Sequence, residues 1–246
     1  MKKLFVLFMF STAVICTKAQ EVNFKLKMPL NQPLKSVVTM KMDMEGEQSM
    51  IMDMVTKSTI AATKFENQNY TFENITDAIK MDMDAGVMTM SYDSEKPTED
   101  PMAEMLAAQM KPLIGKKITM ILDEKGKMIE TNTDEIEGSE NPYENMGMTA
   151  TYPDKPVKVG DTWTSEAENK GMKTKLTNKY VAKTADGHVV ETAGDLFNEK
   201  EEKIGTMKST YTVDPETFFT KTATVNMEMD VEGKKVKMNM QMDIQK

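Results

Sequence analysis

The chain has 246 residues, and its 31 basic side chains are all lysine against 39 acids, giving a formal net charge of −8 at pH 7. An acidic chain without a single guanidinium fork fits neither nucleic acid nor bidentate phosphate recognition. One histidine and one cysteine stand beside 27 methionines, which leaves a Ser-His or Cys-His nucleophile without an obvious base.

Residues 1–19 carry the marks of a secretory signal. Lys2 and Lys3 form a basic start, residues 4–15 an apolar stretch, and Thr17, Lys18 and Ala19 a small-x-small cleavage site. The stretch is too short to span a bilayer, and no later segment reaches about 18 apolar residues. Cleavage removes three lysines and no acid, which takes the net charge from −8 to −11 over residues 20–246. Cys16 follows the bulky Ile15, where lipoprotein acylation wants a small residue. The expected product is therefore unanchored, free of cysteine, and exported to the periplasm or the cell surface.

Period-two alternation dominates the mature chain. Val38, Met40, Met42 and Met44 share one face of an extended run, with Thr39, Lys41 and Asp43 on the other. A turn at residues 45–48 leads to Met50, Met52 and Met54 in the same pattern. Met81 and Met83, a turn at residues 84–86, then Met88 and Met90 repeat the design. Near the end, Val225, Met227, Met229 and Val231 precede a Glu232-Gly233 turn, and Val236, Met238, Met240, Met242 and Ile244 come after it. Three hairpins thus present one apolar and one charged face, the pattern of an antiparallel sheet with one wet side.

One helix interrupts the strands. Asp100 suits an N-cap and Pro101 the first helical position, and Met102, Met105, Leu106 and Met110 form an apolar stripe that Pro112 ends. Residues 118–130 read as a further hairpin turning at Glu124, Lys125 and Gly126. The acidic, poorly patterned stretch 132–151 reads as a connector. Strand candidates resume with TWTSEAE, KTKLTNKYVAKTA, HVVETAG, GTMKSTYTV and FFTKTATVNMEMDV. The fold class is mainly β: a large curved antiparallel sheet or open half-barrel of roughly a dozen strands, with one or two helices packed on its apolar face. Residues 20–246 form either a single β-rich domain or two β halves, 20–131 and 152–246, joined by the connector.

SYDSE (91–95), LIGKKITMILDEKGKMIE (113–130) and above all YPDKPVKVGDTW (152–163) resemble a secreted family of Bacteroidetes-type bacteria, the domain-of-unknown-function family 6263. The resemblance implies a secreted, β-rich, envelope-associated protein over most of the mature chain, and it implies no activity. Read from its residues, YPDKPVKVGDTW is a proline-stiffened turn that leads Trp163 into the core.

The methionines admit several roles. Val38, Val225, Val231, Val236 and Ile244 share their stripes, so they serve at least as hydrophobes. An adaptable apolar surface is the favoured functional reading, because methionine is flexible, polarizable and overused where varied apolar partners bind. The candidate ligand-binding residues are Met40, Met42, Met52, Met54, Met81, Met83, Met88, Met90, Met227, Met229, Met238 and Met240. A copper(I) site through Met-x-Met strands is the alternative; dispersal of the methionines over three hairpins stands against it. A structural envelope protein without a ligand and a sacrificial oxidant sink are the others. No catalytic residue, metal ligand set or cofactor is assigned. Asp43, Asp53, Asp82, Glu228 and Asp230 fall on the wet face, and His188 reads as a solvated residue beside a turn. The expected partner is an apolar small molecule or lipid, not nucleic acid, with an envelope protein partner left open.

Overall fold

The computed structural model describes residues 21–46, 49–96, 100–132, 151–169, 172–231 and 233–245. The expected signal segment with Cys16 lies outside them, as do residues 133–150 of the acidic connector.

The alternating runs form the strands they predict. The first half contributes β1 (Leu34–Glu45), β2 (Met50–Glu66), β3 (Asn69–Asp84), β4 (Thr89–Asp93), β5 (Lys117–Asp123) and β6 (Met128–Asn132). The second contributes β7 (Thr162–Asn169), β8 (Met172–Lys183), β9 (His188–Phe197), β10 (Lys203–Val213), β11 (Thr220–Val231) and β12 (Lys234–Gln245). Among the described residues these twelve strands make one sheet, in the order β6-β5-β3-β2-β1-β12-β11-β10-β9-β8-β7, with β4 paired to the far half of β3. Every pairing between them is antiparallel. The β1–β12 pairing, in register from Lys35–Gln245 to Glu45–Lys235, makes the two halves continuous. The sheet ends at β6 and β7 and does not close into a barrel.

The sheet is curled rather than flat. The rings of Phe72 on β3 and Phe219 beside β11 stack with centroids 5.3 Å apart. Four strand spacings separate β3 from β11, about 19 Å in a flat sheet. Two glycines permit close strand contacts further along the sheet. A Cβ on Gly194 of β9 would lie 2.0 Å from the Lys175 carbonyl oxygen, and one on Gly205 of β10 would lie 2.2 Å from that of Glu228. Only a residue without a side chain permits strands to approach this closely.

One end of the curl is closed by aromatic rings. Residues 21–33 cross it as a strap that turns at Leu30 and Asn31, with Phe24, Leu26 and Met28 buried in alternation. This strap is tied to both halves: Leu26 N–H donates to the Glu124 carbonyl (2.8 Å), Lys27 N–H to Thr217 (2.8 Å) and Val22 N–H to Val157 (2.7 Å). Around Phe24 stand Tyr152 and Tyr180 (both 5.2 Å between centroids), His188 (5.3 Å) and Phe218 (5.8 Å). Trp163 borders this cluster at 6.3 Å and donates its indole N–H to the Thr151 carbonyl at 2.7 Å.

The helix α1 (Pro101–Met110) begins as expected, with Pro101 in its first turn and the Asp100 carboxylate accepting from Met102 N–H at 3.0 Å. Its buried stripe is rotated from the expected one. Ala103, Leu106 and Ala107 face inward, while Met105 is 58% exposed. The small alanines let the helix approach closely, and Leu106 and Ala107 join the core that holds Met81 and Tyr92. Among the described residues no helix is long and apolar enough to cross a membrane.

Candidate functional site

The other end of the curl is written in methionine. Strand alternation puts every second residue inside, and the cross-strand register decides which side chains become neighbours. Within the hairpin β1–β2, Met40 faces Met54, Met42 faces Met52, and Met44 faces Met50. The central pair extends sideways in both directions. Met52 faces Met83, which faces Met90, and Met42 faces Met238, which faces Met227, which faces Met207. Met90, Met83, Met52, Met42, Met238, Met227 and Met207 therefore form an unbroken row across seven adjacent strands.

Parallel rows flank it about 7 Å away along the strands. Toward the aromatic end lie Met81, Met54, Met40 and Met240, followed by Val225. Toward the open end lie Met50, Met44, Val236 and Met229. From β10 onward the Met81 row turns polar. Ser209, Thr192 and Asn178 continue the Met81 row, with Thr192 Oγ1 donating to Asn178 Oδ1 at 2.7 Å. The methionine face is thus confined to β4, β3, β2, β1, β12, β11 and β10.

Burial grades along this face. Met40, Met54, Met81, Met227, Met238 and Met240 are buried, whereas Met42, Met44, Met50, Met52, Met83, Met90, Met207 and Met229 are only half-buried. Eleven of the twelve candidate methionines lie on it. Met88 stands apart in the β3–β4 turn, 38% exposed. Met44, Met50, Met207 and Met242 share the inner face and are not among the candidates. Met44, Met50 and Met242 belong to legible stripes, but Met207 is the lone methionine of its strand.

The opposite face is charged and wet. Lys41 pairs with Asp53 (3.4 Å), Lys57 with Glu95 (2.6 Å) and Lys237 with Glu45 (2.7 Å). The hydrogen bond from Lys237 holds the Glu45 carboxyl below its ordinary range and, reciprocally, raises the Lys237 ammonium.

His188 is not solvated: it is 3% exposed, stacked on Phe218 with centroids 5.7 Å apart, and its Nδ1 lies 2.7 Å from the Tyr180 hydroxyl. The chain segment that buries it, around Phe24, is remote in sequence. Burial lowers its pKa, with nearby Lys183 adding to the effect. Among the described residues no three His, Cys, Asp or Glu side chains gather as a metal site.

A cleft of about 820 Å³ opens at the aromatic end, between the strap and the β10–β11 turn, with Met28, Leu34, Phe219 and Ile244 among its walls. Its polar groups serve the fold. Asp214 Oδ1 accepts from the N–H groups of Glu216 and Thr217, and Lys221 Nζ donates to the Asp186 carbonyl.

Residues 67–147 match the model of a family of unknown function, DUF6263. The match spans a third of the chain, from the β2–β3 turn through α1 and the β5–β6 hairpin, and YPDKPVKVGDTW lies beyond it. No curated protein matches in sequence. Three solved structures are similar in backbone. A structure titled for lipid–protein interactions in lipovitellin is 8% identical, with a TM-score of 0.49 over 87% of this chain and 25% of that one; the chain spans a quarter of that relative's length. A putative outer membrane lipoprotein-sorting protein domain from Vibrio parahaemolyticus gives 11% identity and a TM-score of 0.28, over 86% of this chain and 85% of that one. A DUF1329 family protein from Desulfovibrio piger gives 10% and 0.30, over 85% and 83%. With TM-scores below 0.5, none of the three says what this chain does.

Proposed function

We propose that this is an exported, non-enzymatic protein that binds a lipid or another apolar molecule on the methionine face of its curled sheet. The observation that carries the reading is the row of seven methionines across seven adjacent strands, half of a face that packing leaves partly open. Eight of the methionines on this face are only half-buried, which leaves apolar surface within reach of a ligand. Unbranched thioether side chains can repack around ligands of different shape, which leucine or valine rows do less readily. Export is supported by the basic start, short apolar stretch and small-x-small site of residues 1–19. A non-enzymatic role is supported by the stacking of His188 inside the aromatic cluster, away from the methionines.

The test is titration with an environment-sensitive apolar dye, comparing the wild type with the double variant Met42→Gln/Met52→Gln. Glutamine keeps the length of methionine and adds two polar groups to the floor. The wild type should shift the dye and the variant should bind it on the order of tenfold more weakly, about 1.4 kcal/mol. Equal binding by both proteins would place the ligand elsewhere, and no binding by the wild type would leave the face as structural core. Native mass spectrometry of protein taken gently from its own envelope then identifies the cargo.

A further inference from the structure

We infer that the turn end of the β1–β2 hairpin is also a binding site for a soft monovalent metal ion of the copper(I) class, held by the thioethers of Met42, Met44, Met50 and Met52. This inference does not depend on an apolar ligand.

The first support is geometric. Met42 faces Met52 and Met44 faces Met50 on one face of one hairpin. Directly opposed Cβ atoms lie about 4.5–5.5 Å apart, and the two pairs are separated by about 7 Å along the strands. Each sulfur sits two bonds beyond its Cβ on freely rotating torsions, so three of the four can converge on one ion. Met83 and Met238, next in the row, stand ready as alternative donors.

The second support is composition. Val225 and Val236 take the place of methionine in the flanking rows, but the central row keeps methionine at seven consecutive positions before Gly194 and Leu176 continue it on β9 and β8. A surface that needed only apolar bulk would show no such restriction in its central row. Dispersal over three hairpins, which counts against a metal when the sequence is read alone, disappears once the register makes those hairpins neighbours.

The third support is the lack of competing chemistry among the described residues of this face. Asp43 and Asp53 alternate with the methionines and so point to the other side, where Asp53 pairs with Lys41. His188 is buried at the opposite end. The four sulfurs are half-buried, open enough for an ion to enter and sheltered enough to exclude some water. Soft thioethers without hard donors select copper(I) over divalent ions, and the negative net charge of the chain favours the approach of a cation.

The experiment uses the full chain carrying Cys16→Ser, so that no thiol competes. Copper(I) is titrated anaerobically against a chromophoric copper(I) chelator, with silver(I) as a redox-inert repeat. The parent protein should take one ion at a fixed ratio. Met42→Leu/Met52→Leu should lose it, and Met40→Leu/Met54→Leu, the buried pair one step below, should keep it. Leucine conserves volume well enough for the fold to survive, and an unchanged circular dichroism spectrum and urea denaturation midpoint would confirm that. Methyl NMR of the unsubstituted methionines should show silver(I) moving the signals of Met42, Met44, Met50 and Met52 first. Absence of a stoichiometric ion in the parent, or equal retention or equal loss in the two double variants, would overturn the assignment.

Discussion

His188 shows what a single side chain contributes when the fold buries it. Its ring stacks on Phe218 and meets Phe24 edge-on, its Nδ1 meets the Tyr180 hydroxyl, and Lys183 is the nearby charge that disfavours a second proton. The folded-state pKa therefore lies below the ordinary 6.5, and the unfolded chain binds a proton here before the folded one does. Stability is fully present above about 6.5 and falls as pH drops below it, because the unfolded state gains the proton first. Between pH 7.5 and 5.5 the denaturation midpoint should decrease, and His188→Phe should remove most of that decrease even if it lowers stability at both pH values. An unchanged slope in the variant would assign the acid sensitivity to other groups. The sequence hides this environment. His188 follows Gly187 in a turn, which reads as solvated, and the ring that covers it arrives from residue 24.

At the scale of elements, legibility tracks the strength of the alternation. The hairpins 38–54, 81–90 and 225–244 are readable because apolar and charged residues alternate without a break. The lower halves of β2 and β3 are not, since their inward residues include Thr56, Ser58 and Thr76, small polar groups that do not mark a buried face. The strap is short, contains two lysines, and bonds mostly to turns, so nothing in it distinguishes a core segment from a linker. The methionines of the site are visible one strand at a time. That they form a single row depends on a register between distant strands, which no local pattern specifies. The curl is equally tertiary, and so are the close approaches at Gly194 and Gly205, which offer a test. Gly194→Ala places a methyl group against the backbone of Lys175 and Leu176, neither of which can rotate away. We expect a loss of about 1–3 kcal/mol, the usual cost of overpacking, measured by urea denaturation. Gly86→Ala, where no atom lies within 4 Å, is a useful comparison because its cost comes only from the positive φ of 76°. If Gly194→Ala were tolerated better than Gly86→Ala, β9 would not be held tightly against β8 at Gly194.

Across the whole molecule the two ends differ in how they are held. The aromatic end has the strap, whose N–H groups bond to the β5–β6 turn, the β10–β11 turn and Val157, together with Tyr152, whose hydroxyl donates to the Phe218 carbonyl at 2.6 Å. At the methionine end β1, β2, β11 and β12 meet at turns, above side chains that are half-buried. Opening free energy follows burial and the number of tertiary ties, so the sheet should open from the methionine end. Amide hydrogen exchange reads this directly. The amides of Met42–Met44 and Ile51–Asp53 should exchange faster than those of Ser36–Val38 and Thr59–Ala61. Within β1 both sets lie near a strand end, so ordinary fraying would affect residues 36–38 and 42–44 alike. An apolar ligand seated on the methionine face should slow the first set and leave the second unchanged, because it supplies the contacts that end lacks. Copper(I) held by Met42, Met44, Met50 and Met52 should slow a narrower group within β1 and β2, without reaching Met207 and Met229 on β10 and β11. Protection spread evenly over both ends would mean instead that the sheet opens as one unit, and that the methionines are core like any other. A graded exchange profile that ligand flattens is what a sheet built to stay partly open should give.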